Sequence, residues 1–132
     1  MYRSPLELDI HAFDDLLDVP YLEDGVDPSV GLNCLGLVAE VYRRLGVDRS
    51  PFPMRGGGET VETYVDRVSR HGWRTVGKPY QAGDVLLMDS DRGKHVAVMV
   101  SPTEALHCSE DHGVARIRAN RFQRVIGVYR CL

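Results

Sequence analysis

The 132-residue chain has no apolar run approaching the roughly 20 residues that a membrane-spanning helix needs, so no membrane insertion is expected. Its first stretch, "MYRSPLELDIHAFDDLLD", is acidic and lacks the continuous apolar core of a secretory signal. Synthesis in the cytoplasm without a signal peptide is therefore the expectation, with export only if another machine supplies it. There is no excess of positive charge: a formal net charge of -3 argues against a general nucleic-acid binder. Arg116, Arg118, Arg121, Arg124 and Arg130 are spaced along strand-like segments with few aromatics between them, the pattern of solvated strand faces. Only three cysteines occur, Cys34, Cys108 and Cys131, without framework spacing, which excludes a disulfide scaffold and leaves at least one thiol free. Repeats and low-complexity linkers are absent. So are CxxC and HExxH, which removes the usual grounds for zinc, and GxSxG, which weakens a serine nucleophile. The glycines of "SPFPMRGGGE" are not followed by Gly-Lys-Ser/Thr, so that stretch reads as a surface loop rather than a phosphate cradle. No motif calls for a cofactor.

What is present fits one globular domain over 1–132. Hydrophobic residues make up 43% and charged residues 27%, enough apolar surface for a real core. Val38, Val41, Tyr42 and Leu45 recur at helical spacing from residue 34, with Gly46 as a stop signal. A second helix is predicted from about Glu59 to Arg70. After Gly72 the period changes to short, β-branched-rich runs: "WRTV", "DVLLMD", "HVAVMV", "ALHCS", "VARIRA" and "RVIGVYR". Turn-forming residues such as Gly83-Asp84 and Ser101-Pro102 separate most of them. Helices first and a strand meander after predict an α+β domain, with N-terminal helices packed on an antiparallel sheet of five to six strands.

The chemistry-bearing residues gather in "GLNCLGLVAEVYRRLG" and in the strand region. Asn33 is a good N-cap, which makes Cys34 the first helical residue, beside unpaired N–H groups and the positive end of the dipole. Both effects are expected to lower its thiol pKa. Gly36 would keep the first turn narrow and leave room for a substrate backbone. A lone cysteine there also reads as a small buried hydrophobe, so the case rests on a base. His11, His71 and His112 fall in helical, loop or turn contexts and read as surface residues. His95 opens "HVAVMV" on the same face as Ala97 and Met99, opposite Val96, Val98 and Val100, and a polar ring there requires a partner. His107 follows in "ALHCSE" on the face of Ala105 and Ser109. A hairpin around "SPTE" would set the two imidazoles side by side, one as base and one orienting it.

These residues resemble a known family. "PYLEDGVDPSVGLNCLGLVAEVYRRLG" resembles the opening motif of the NlpC/P60 papain-like cysteine peptidases, and "QAGDVLLMDSDRGKHVAVMVSPTEALHCSEDHGV" resembles their second block. The twelve positions from His95 to His107 match the interval between base and orienting residue, and the resemblance covers a core of about 18–130. It implies Cys34 as nucleophile, His95 as general base and His107 as orienting residue. It also implies Tyr21 beside the reacting carbonyl, where with the backbone N–H of Cys34 it would form an oxyanion site; Asn33 and Gly36 complete the implied substrate-binding set. Asn33 stands where the family usually has Asp. It caps a helix as well, but loses a negative charge and a contact to a substrate amine. "DVLLMDSDRGKHVAVMV" and "HGWRTV" look most like the subgroup associated with phage tails, including tail assembly proteins of the lambda K type.

The function this implies is a cysteine peptidase that hydrolyses peptidoglycan stem peptides, at a γ-D-glutamyl to diamino-acid bond, delivered by or assembled into a phage tail or tail-like particle. The expected partners are the peptidoglycan peptide and phage tail-tip proteins, with action in the periplasm or at the cell wall. The "SPFPMRGGGET" loop and the acidic N-terminal segment are candidate docking regions, though each also reads as an ordinary solvated segment. A non-catalytic tail component with the same fold, and a thiol amidase or acyltransferase acting on another amide or ester, are the alternatives.

Overall fold

The computed structural model describes residues 11–45, 74–90 and 93–130. The helix predicted at 59–70 and the glycine loop at 56–58 lie outside these residues. A 3₁₀ turn at Asp14–Leu16 is followed by a small hairpin of β1 (Val26–Asp27) and β2 (Gly31–Leu32), then the helix α1 (Cys34–Arg44). Beyond it come β3 (Arg74–Thr75), β4 (Val85–Ser90), β5 (Gly93–Met99), β6 (Glu104–Ser109), β7 (Gly113–Arg118) and β8 (Val125–Arg130). A second 3₁₀ turn, Ala119–Arg121, links the last two strands.

Strands β4 to β7 form a meander. β8 returns to pair with the free edge of β4, and β3 adds outside it, giving a six-stranded antiparallel sheet in the order β3-β8-β4-β5-β6-β7. The predicted α+β architecture holds, with the strands near their expected places. "WRTV" is the exception, contributing only Arg74–Thr75 among the described residues.

Both faces of the sheet centre are covered, which explains why β4 reads as an unbroken apolar run rather than an alternating one. On one face Leu87, Val96, Val98, Leu106 and Cys108 pack against Leu35, Leu37, Val38 and Val41 of α1. Each such aliphatic side chain contributes roughly 1.5–3 kcal/mol on burial. On the other face Leu86, Met88, Ala97, Met99, Ala105 and Val128 form a second cluster, flanked by Val76, Tyr80, Ala119, Phe122 and Val125. The period of two along β5 thus assigns even residues to the helix and odd residues to the far face.

Two carboxylates are locked inside this frame. Asp84, only 1% exposed, takes a two-pronged contact from Arg130 on β8 (both N···O distances 2.8 Å) and a hydrogen bond from the Gln81 N–H. Glu40 on the inner side of α1 is held by Arg43 and by Arg44, which also reaches Asp15 at 2.6 Å. Arg116 on β7 is bonded to Asp14 and approaches Glu104. Arg121 and Arg124 sit outside strands altogether, so the reading of all five arginines as solvated strand faces is corrected: Arg116 and Arg130 are structural ion-pair partners.

The segment before the helix is stitched to the far edge of the sheet. The Asp18 N–H donates to Val114 O and the Val114 N–H to Val19 O, both at 2.9 Å. Leu32 then exchanges hydrogen bonds with Pro20 and Leu22, placing Tyr21 alongside it in a parallel bridge. Gly113 (φ +71°) sits against the Val19 carbonyl, where a Cβ would collide with backbone.

Candidate active site

The N-terminus of α1 is capped as the sequence predicts. Asn33 has extended backbone angles, and its side-chain oxygen accepts the Gly36 N–H at 2.7 Å. Cys34 is therefore the first residue of the helix, half-buried against the helix-side core.

The sheet makes room for the sulfur. β5 and β6 pair at Val98↔Leu106 and Met99↔Ala105, and no ladder pairs the rest of their length. Along β5 the hydrogen-bonding direction alternates: the Met99 N–H goes to Asp84 O at 2.8 Å, toward β4, and the Val100 N–H to Glu104 O at 2.8 Å, toward β6. Val96, an even residue, therefore aims its N–H into the gap where β6 has departed. Cys34 fills that gap, its sulfur interacting with the Val96 N–H as well as those of Leu35 and Cys34 itself.

His95, the residue before Val96, and His107 stand together on the face predicted. Their rings are 5.7 Å apart, centroid to centroid, in an edge-to-face arrangement. His107 is in turn edge-on to Phe122 at 5.3 Å. Tyr21 packs on the core cluster that includes Cys34. Its hydroxyl pKa is raised, by burial first and then by the charges of Glu110 and Cys34, which keeps it a proton donor near neutrality. Asn33, Cys34 and Tyr21 are thus gathered at the N-terminal end of α1, and the imidazole pair lies on the far face of the β5–β6 hairpin that meets it.

The model of the NlpC/P60 family matches residues 18–126. The chain belongs to the NlpC/P60 family. Its fold is similar to the NlpC/p60 domain of the peptidoglycan hydrolase SagA, with a TM-score of 0.61, 21% identity and coverage of 90% of this chain and 92% of that one. It is also similar to an NLP/P60 family protein, described as similar to lipoprotein, from Staphylococcus aureus subsp. aureus Mu50 (TM-score 0.61, 21% identity). There 98% of this chain is covered but only 44% of the other. No curated protein matches the chain in sequence.

Two expectations about this NlpC/P60 site are corrected. The thiol pKa is not lowered: burial pushes it up, and the backbone N–H groups of Val96, Leu35 and Cys34 oppose this without overcoming it. His95 moves the other way, down to about 4, through burial first and repulsion from His107 second. His107 is also lowered, by burial and then His112. At neutral pH the Cys34 thiol and the His95 imidazole are therefore both uncharged. The second correction concerns Gly36. The space its missing side chain leaves is occupied by the chain's own Gly25 carbonyl, so it serves internal packing rather than a substrate backbone. The same carbonyl accepts the Asn33 N–H at 3.1 Å.

Several features had no sequence signal. Cys108, buried on the helix side of β6, donates its S–H to Leu32 O at 3.1 Å and so anchors the chain two residues before Cys34. Burial and the neighbouring Cys34 push its thiol up to about 12, which makes it a structural cysteine. The Val96 N–H is a backbone group, invisible to any residue pattern. Phe122 gives no periodic cue in "ANRFQR". His11 and His112 are exposed, as expected of surface residues, and His71 lies outside the described residues.

Proposed function

We propose that the protein is a cysteine peptidase that hydrolyses peptide bonds in peptidoglycan stem peptides, with Cys34 as nucleophile, His95 as general base and His107 as the residue orienting it. The observation that carries this reading is the Cys34 sulfur at the splayed end of β5 and β6, on the N–H of Val96, the residue after His95, whose half-buried ring pairs with that of His107, in a chain of this family. On substrate binding His95 takes the thiol proton as the sulfur attacks the carbonyl carbon. The tetrahedral oxyanion is met by the backbone N–H of Cys34 and the Tyr21 hydroxyl. His95 then returns its proton to the departing amine, leaving a thioester that water hydrolyses with His95 again as base. The bond we assign is γ-D-glutamyl to diamino acid, and the setting a phage tail or tail-like particle. The first rests on the family resemblance, the second on the likeness of "DVLLMDSDRGKHVAVMV" to tail-associated members.

Incubation with purified muropeptides, followed by mass spectrometry, tests the reaction. A new free amine on the diamino acid is expected; intact muropeptides would favour the non-catalytic tail component. Detection of the protein in purified particles, or its requirement in their assembly, tests the setting.

A further inference from the structure

On the sheet face opposite α1 lies a groove of about 730 Å³, within the size range of small-molecule and peptide-side-chain sites. Leu86 and Val125 form apolar lining, Tyr80 and Phe122 add aromatic surface, and Lys78 and Arg118 contribute two cationic side chains. No acidic residue is among its described lining residues, so the two charges act together on whatever enters. Both cations are exposed, and Lys78 stands 6.0 Å from the Tyr80 ring centroid. The groove is not remote from the chemistry. Phe122 belongs to its lining and also packs edge-on against His107. Two ring-to-ring steps, 5.7 and 5.3 Å, separate Phe122 from His95, a span that roughly three extended residues cover.

We propose that this groove is the subsite for a carboxylate-bearing residue of the peptide substrate, set within about three residues of the scissile bond, with Lys78 and Arg118 binding the carboxylate. Apolar parts of that residue lie on Leu86, Val125 and Phe122. The occupant is a stem peptide because such peptides combine free carboxylates with short apolar side chains, matching cationic groups over an apolar floor. This assignment rests on the peptidase reading above. It makes Lys78 and Arg118 determinants of specificity rather than of the chemical step, because neither touches the reacting atoms.

The test compares the wild-type chain and a Lys78→Gln/Arg118→Gln double variant on two stem tetrapeptides, one with free carboxylates and one with them amidated. The wild type is expected to show a KM about tenfold higher for the amidated peptide, with kcat within about twofold, from the loss of two charge-assisted contacts near solvent. In the double variant KM for the free-carboxylate peptide rises to match, and KM for the amidated one stays. Equal KM values for both peptides in both proteins would overturn the groove assignment and leave the peptidase intact. If neither peptide is cleaved, the peptidase reading falls and binding judges the groove. Saturable ¹⁵N shifts at Phe122, Ala119 and Val125 with the free-carboxylate peptide alone then support it, and their absence overturns it.

Discussion

Alkylation of Cys34 as a function of pH separates the two ways such a site can store its proton. An ordinary thiol titrating near 8.5 is about 3% thiolate at pH 7. Burial raises Cys34 above the usual range, so its thiolate fraction at pH 7 falls below that figure. His95, held down to about 4, is neutral there and cannot stabilise the anion by charge. Even an unshifted thiol at about 8.5 would lie more than four units above that imidazole, on the order of 6 kcal/mol against the ion pair at rest. The rate of iodoacetamide labelling, followed by peptide mapping on native protein from pH 5 to 10, should therefore climb about tenfold per unit beyond pH 8. It should be slower at pH 7 than for a small free thiol. Cys34 should still label ahead of Cys108, which is buried and pushed up to about 12. Replacing His95 with alanine should leave the neutral-pH labelling rate within about threefold, because no imidazolium is lost. A labelling rate flat from pH 5 to 8 that collapses in the His95→Ala variant would refute this reasoning. It would mean a thiolate–imidazolium pair.

Two further outcomes follow from the same geometry. His95→Ala should lower the rate of stem-peptide hydrolysis by about 100- to 10,000-fold, the range for a positioned proton-transfer group, whereas His107→Ala should cost less and His107→Gln least; steady-state kinetics on one muropeptide would reveal a reversed order, which would make His107 the base. Gly36→Ala should destabilise the fold by about 1–3 kcal/mol, because the new methyl meets the Gly25 carbonyl and forces the loop before Cys34 to shift. Thermal unfolding would register this as a fall of several degrees in Tm, and an unchanged Tm would show that the loop is not packed there.

The parts of this architecture legible in the sequence are those that follow from a repeating period or a local capping rule. The alternation His95-Val96-Ala97-Val98-Met99 gives both the strand and the face of each residue, and the structure keeps every one of those assignments. Asn33 as N-cap needs only its neighbours, and the bond to Gly36 is made. Chemistry that depends on burial was not legible in the same way. A helix N-terminus lowers a thiol pKa when the sulfur faces water. Here the sulfur sits among Leu32, Leu35 and Val96, and its desolvation could be known only after the sheet was placed against α1. Gly36 shows the same limit, since its partner, Gly25, is eleven residues away in a loop without periodic signal.

The site also explains why a sheet buried on both faces can carry reactive groups without losing its core. Val96 and Val98 of β5 and Leu106 and Cys108 of β6 are committed to the helix-side core, while His95 and His107 occupy odd positions on the far face. Cys34, the proposed nucleophile, belongs to neither set. It comes from the helix side, where the ladder between β5 and β6 stops short of Val96 and leaves an N–H that the sulfur can meet. If the ladder ran two residues further, by continuation of its register Val96 would lie opposite Cys108, and the gap would close. The S–H of Cys108 is instead turned to Leu32 O, which joins the chain entering the helix to β6. Strand separation, the anchored approach of residues 32–34 and the placement of two imidazoles are thus one structural arrangement. A one-residue slip of β5 against β4 would turn His95 into the core and expose Val96, removing the proposed base and the N–H contact together.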